Sequence, residues 1–128
     1  MNIQGIHHIA ILTDKYERSK IFYTEVQGLF IITETYRKER DSYKLDLAIN
    51  GLYAIELFSF RDYKERVSYP EAKGLRHLAF AVVNLDKAVS ELKSHLVEIE
   101  PIRTDEITGK KFCFFHDPNG QPLELYEI

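Results

Sequence analysis

At 128 residues, with 45% hydrophobic and 29% charged side chains, the chain has the size and composition of one ordinary globular domain. Its net charge of −3 excludes a global attraction to nucleic acid or to an anionic membrane. A single cysteine, Cys113, excludes a disulfide framework and a thiolate metal cluster, so any metal must be held by His and carboxylate side chains. No apolar run reaches the about 20 residues of a membrane span, and the N-terminus reads directly into a strand rather than a signal peptide. A cytoplasmic location is the expectation.

The first element is a β-branched, apolar strand, Ile6 to Thr13. Asp14, with Glu17 three residues on, predicts a capping box and a helix. Ser19, Phe22, Tyr23 and Val26 fall on one face of that helix, and Gly28 marks its end. Phe30 to Tyr36 reads as a strand and Arg37 to Ser42 as a charged turn. Tyr43 to Ile49 and Leu52 to Phe60 flank Asn50-Gly51, a strong hairpin signal. Arg61 to Gly74 is polar and reads as a linker.

The same order then repeats. Leu75 to Val83 is a strand, and Asn84 or Asp86 caps a helix with Leu85, Ala88, Val89, Leu92 and Leu96 on one face. Val97 to Arg103 is a predicted strand, Thr104 to Gly109 a loop and Lys110 to Phe115 a strand. The turn Asp117 to Gly120 leads into a last strand, Leu123 to Ile128. The expectation is an α+β protein of two βαβββ modules, residues 1–61 and 74–128, facing each other across a cleft.

The duplication is visible residue by residue. Ile6-His7-His8-Ile9-Ala10-Ile11 aligns with Leu75-Arg76-His77-Leu78-Ala79-Phe80 at an offset of 69. Ile55-Glu56-Leu57-Phe58 aligns with Leu123-Glu124-Leu125-Tyr126 at an offset of 68. Each module thus offers one His on its first strand and one Glu on its last, 48 residues apart in one and 47 in the other. A carboxylate between leucines is costly unless something charged meets it. His8, Glu56, His77 and Glu124 are therefore candidate ligands of one divalent cation such as Ni²⁺, Co²⁺, Zn²⁺, Mn²⁺ or Fe²⁺, with positions left for water or substrate.

The remaining histidines carry less signal. Period-two alternation sends His7 to the face opposite His8, and its counterpart is Arg76. His95 falls late in the second helix. Arg37, Arg40, Phe60, Arg103 and Phe112 are candidate substrate contacts, and Tyr36, Tyr43, Lys44 and Lys111 lie near them in sequence. As a group these cations point to a small anionic substrate.

The chain resembles the vicinal-oxygen-chelate superfamily, and within it the glyoxalase I-like proteins. The carriers are His7-His8-Ile9-Ala10-Ile11, the helix from Ser19 to Leu29, Gly74 to Val82, and Phe114 to Ile128. The resemblance implies paired βαβββ modules forming a curled mixed sheet, or half-barrel, around a metal site, a homodimer, and His8, Glu56, His77 and Glu124 as metal ligands. It implies a carbon–sulfur lyase of the lactoylglutathione lyase type, in which a 2-oxoaldehyde thiohemiacetal reacts through a metal-stabilised enediolate. Glu124 is then the base, with Glu56 able to take part. Glutathione-dependent members carry Arg four residues after the first His ligand and Asn four after the first Glu ligand. Here those positions are Leu12 and Phe60, which leaves the thiol open. An extradiol-type dioxygenase and a non-enzymatic small-molecule binding or resistance protein are the alternatives on the same fold.

Overall fold

A computed structural model describes residues 1–128. The chain divides after Lys64 into two compact units, Met1–Lys64 and Glu65–Ile128. It is an α+β protein with two four-stranded mixed sheets, neither closed on itself.

In the first unit the strands are β1 (Ile9–Thr13), β2 (Phe30–Arg37), β3 (Ser42–Ile49) and β4 (Leu52–Ser59). They pair in the order β1-β4-β3-β2, with β1 parallel to β4 and the other pairs antiparallel. Helix α1 (Tyr16–Ile21) runs on into a π-helical turn, Phe22–Val26. The predicted Asp14–Glu17 box does not form. Thr13 Oγ1 instead accepts from the Lys15 backbone N–H at 2.9 Å and lies 2.8 Å from Ser19 Oγ, while Asp14 accepts from Tyr63 Oη. The helix ends as predicted at Gly28, whose φ of +74° lets the Leu29 N–H reach back to the Tyr23 carbonyl.

In the second unit the strands are β5 (Leu78–Val82), β6 (Arg103–Thr104), β7 (Lys111–His116) and β8 (Pro122–Glu127), ordered β5-β8-β7-β6. Strand β5 is parallel to β8, so the pairing of the first unit is repeated. Helix α2 (Leu85–Ser94) starts at Asn84, whose side chain accepts from the Lys87 backbone N–H at 2.9 Å. Two expectations fail here. Leu96 lies beyond the helix at φ +60° and is 91% exposed, not part of the buried face. The predicted strand from Val97 to Arg103 shrinks to β6 and one bridge between Ile99 and Phe115.

Each sheet has two unlike faces because strand side chains alternate. One face is apolar and fully buried, with Leu45, Leu47, Ile55 and Leu57 in the first unit and Cys113, Phe115 and Leu123 in the second; Tyr23 and Leu85 are the fully buried residues of the helical segments. Each such aliphatic side chain contributes about 1.5–3 kcal/mol of burial free energy. The other face carries the His and Glu residues singled out above.

Candidate metal-ligand pairs

The register of the parallel strands sets each pair. Ala10 on β1 faces Glu56 on β4, and Ala79 on β5 faces Glu124 on β8. Each His stands two residues before its alanine, immediately ahead of the strand, on the same side of the sheet as its Glu. The small alanine leaves the diagonal open. His8 Nε2 lies 3.2 Å from Glu56 Oε2, and His77 Nε2 lies 2.9 Å from Glu124 Oε2. The two carboxylate side chains are only 14% and 12% exposed. Within either unit no three His, Cys, Asp or Glu side chains are placed to hold a metal ion, so each unit brings a pair.

These pairs fit a metal by two observations. Ligand atoms about 2.0–2.2 Å from one cation stand about 3 Å from each other, which is the separation found in both. The outer ring nitrogens are also informative. His8 Nδ1 is 2.8 Å from His7 Nδ1, a contact that fixes the imidazole and leaves Nε2 to bind. His77 Nδ1 is buried without a hydrogen-bond partner, its ring edge-on to Phe114 at 5.1 Å.

His7 thus stays beside His8 rather than crossing to the opposite face. Strand alternation does not govern it, because β1 begins only at Ile9. Both rings pack against Tyr53, His8 stacked at 5.0 Å and His7 edge-on at 5.1 Å.

Beyond the pairs, the two units differ. In the first, Asp46 on β3 stands directly opposite Glu56. Lys44 Nζ lies 3.0 Å from Asp46 Oδ1 and 3.0 Å from Glu56 Oε1, and Tyr53 Oη donates to Asp46 at 2.7 Å. Burial pushes the Asp46 carboxyl up, but the hydrogen bonds from Tyr53 and Lys44 outweigh it and the net shift is downward. The hydrogen bonds to Asp46 and Glu56 raise Lys44, and burial together with the bond to Asp46 raises Tyr53. In the second unit the position facing Glu124 is Phe114, which brings no charge.

Tyr53 reaches this cluster through a β-bulge. Leu47 faces Ile55, but Ala48 faces Tyr53, so Ala54 is an extra residue on β4. Because the ladder passes over Ala54, Tyr53 stands on the Glu56 side although three residues separate them. Its trace is in the sequence. Asn50-Gly51 aligns with Asn119-Gly120 at an offset of 69, whereas Glu56 aligns with Glu124 at 68, so the additional residue lies between turn and ligand. The β7–β8 pairing has no such shift. Asp46 and Tyr53 were missed by sequence reasoning; the offset change is the signal that could have found Tyr53.

The candidate substrate residues separate. Arg37 places its guanidinium carbon 4.6 Å from the Phe58 ring centre and 5.5 Å from that of Phe60. Arg103 does the same over Phe112 and Phe114, at 5.0 and 5.3 Å. Arg40 lies exposed in the short helical turn Lys38–Arg40 and joins neither cluster. Tyr36, Tyr43 and Lys111 belong to the other side: Tyr43 stacks on Tyr16 of α1 and meets Tyr36 at a tilt, and Lys111 pairs with Asp86 of α2 at 2.9 Å.

The family model described as Glyoxalase/Bleomycin resistance protein/Dioxygenase superfamily matches residues 5–125. The chain is 61% identical over 127 residues to YwkD of Bacillus subtilis (strain 168), covering 99% of both chains. It is 43% identical to a glyoxalase family protein from Enterococcus faecalis, with a TM-score of 0.90 over 99% of this chain and all of that one. At 22% identity, a trypanothione-dependent glyoxalase I from Leishmania major shares the fold, with a TM-score of 0.73 over 98% of this chain and 87% of that one. No helix is long and apolar enough to cross a membrane.

Proposed function

The chain belongs to the Glyoxalase/Bleomycin resistance protein/Dioxygenase superfamily, and from that premise we propose that it is a metal-dependent lyase of the glyoxalase I type. In this reading His8, Glu56, His77 and Glu124 together hold one divalent cation, and the substrate is a 2-oxoaldehyde thiohemiacetal. The observation that carries it is the recurrence of the His–Glu pair at one register in two units, Ala10 facing Glu56 and Ala79 facing Glu124. The two-imidazole, two-carboxylate set suits a borderline cation such as Ni²⁺, Co²⁺, Zn²⁺, Mn²⁺ or Fe²⁺. When bound, such a cation supplies Lewis-acid stabilisation of negative charge developing on substrate oxygens.

The two carboxylates have unequal surroundings, and this supports a division of roles. Lys44 holds one oxygen of Glu56 and turns the other towards His8, which suits a permanent ligand. Glu124 pairs with His77 and with no Lys or Arg, which suits a ligand that yields its place to a substrate oxygen and then acts as base. Glu124 takes the proton from the carbon beside the substrate carbonyl and returns it to the neighbouring carbon, a redox-neutral isomerisation within the substrate. The residue opposite it, Phe114, is apolar and offers no competing proton donor or acceptor. The working form is a homodimer.

The test is metal analysis with rate assays on methylglyoxal, with and without glutathione and other small thiols, and sedimentation for the dimer. One metal per chain and thiol-dependent turnover are expected. Glu124→Gln at saturating metal loses turnover, whereas Glu56→Gln loses metal first. Fully metallated protein that turns over with no thiol sinks the lyase reading, and unchanged metal content in both variants sinks the ligand assignment.

A further inference from the structure

The Arg37 guanidinium is not accounted for by the fold. Its central carbon lies over the ring of Phe58, two strand positions beyond Glu56 and on the same face of β4. Its Nη2 donates to Ser42 Oγ at 2.9 Å, but Nε is buried and meets no acceptor, and no carboxylate pairs with it. The nearby Asp41 is taken by Arg61, at 2.6 Å, and by the Tyr36 hydroxyl. A partly buried guanidinium without a counter-charge is costly unless an anion completes it. The counterpart in the second unit makes the contrast. Arg103 also rides over two phenylalanines, yet its side chain is 54% exposed and has Glu100 at 3.7 Å.

We propose that Arg37 binds a carboxylate of the substrate, so that the substrate is a small oxygen chelate with a carboxylate at its far end. The geometry sets the length. Two residues along a strand span about 7 Å, so the carboxylate stands on the order of 5–7 Å from the chelating oxygens. The planar fork of the guanidinium, held by the rings beneath it, matches a carboxylate in two parallel hydrogen bonds. Arg37 is a specificity-determining residue in this account, which rests on the metal reading above.

The test compares two chelators on zinc-loaded protein by titration calorimetry. Acetohydroxamate reports the metal alone; the monohydroxamate of succinic acid adds a carboxylate at the required distance. The wild-type chain is expected to bind the second about tenfold or more tightly than the first, the range for a hydrogen-bonded charge pair. Arg37→Gln removes this difference and leaves the acetohydroxamate affinity unchanged. Arg37→Lys keeps part of it, because charge remains and the fork does not. Equal affinities in the wild type, or an undiminished difference in Arg37→Gln, overturn the proposal while leaving the metal reading intact. Failure of acetohydroxamate to bind zinc-loaded protein overturns both.

Discussion

The two units share strand order, register and His–Glu pair, and differ in what surrounds the pair. Glu56 faces Asp46 across the sheet and is tied to Lys44; Glu124 faces a phenylalanine. Duplication therefore preserved the backbone positions that aim the side chains, while the neighbouring strand diverged. The lesson is that the two carboxylates should not be treated as equivalent. The first already has a charge partner, so a metal adds to an existing network. The second has only His77, so a cation contributes most there.

The largest test of this contrast is loss of a ligand. His77→Ala should weaken metal binding by more than about a hundredfold, beyond what loss of a supporting contact gives, as read by competition with a chromophoric chelator. A smaller loss would show that the second unit is not the more demanding one. Next comes a difference of sign in the metal-free protein. At pH 8, where ordinary histidine is neutral, Glu124→Gln should leave stability unchanged or raise it by about 1 kcal/mol, because it removes a carboxylate with little compensation. Glu56→Gln should lower stability by about 1–2 kcal/mol, because Lys44 and Asp46 lose a partner. Urea unfolding of both variants decides it, and effects of one sign would refute the asymmetry.

Tyr53→Phe is a finer probe. It removes the hydroxyl that donates to Asp46 but keeps the ring stacked on His8. A loss of about 1 kcal/mol in urea unfolding is expected, with metal stoichiometry retained. The smallest effect lies on the helix-covered face of the first unit. Lys20 and Tyr16 donate to Glu34 at 2.7 and 2.6 Å and hold its carboxyl below the usual range. A depressed carboxyl stabilises above its unfolded pKa of about 4.3, and that contribution is lost as pH falls through the folded value. Glu34→Gln should remove it. The change is a few tenths of a kcal/mol because the pair is about one-third exposed, and shows as a shallower fall in melting temperature below about pH 4.

The parts legible in the sequence were those repeated twice. The βαβββ order, the Asn-Gly turns, the Gly28 stop and the His–Glu recurrence all follow from local pattern plus duplication. What escaped was set by long-range pairing. Asp46 looks like an ordinary polar residue in an alternating strand until β4 is laid beside it. Tyr53 reads as facing away from Glu56 until Ala54 is recognised as extra. Leu96 fits the apolar stripe of α2, but the helix ends before it at His95. The short β6 has too few residues to show any period. Arg37 was legible as a candidate substrate contact, and its lack of a counter-charge was not.

Ala54 carries a wider consequence. Two copies of one ancestral segment can drift apart by substitution, one position at a time. An extra residue absorbed as a bulge leaves the rest of the strand in phase. The ladder closes over Ala54, so Tyr53 holds the place that Pro122 holds in the sister copy, two ladder positions ahead of the carboxylate and on its side of the sheet. Removing Ala54 would restore the spacing of the sister copy and leave Tyr53 beside Glu56, so the contact belongs to the tyrosine and the added residue costs only the regularity of the strand.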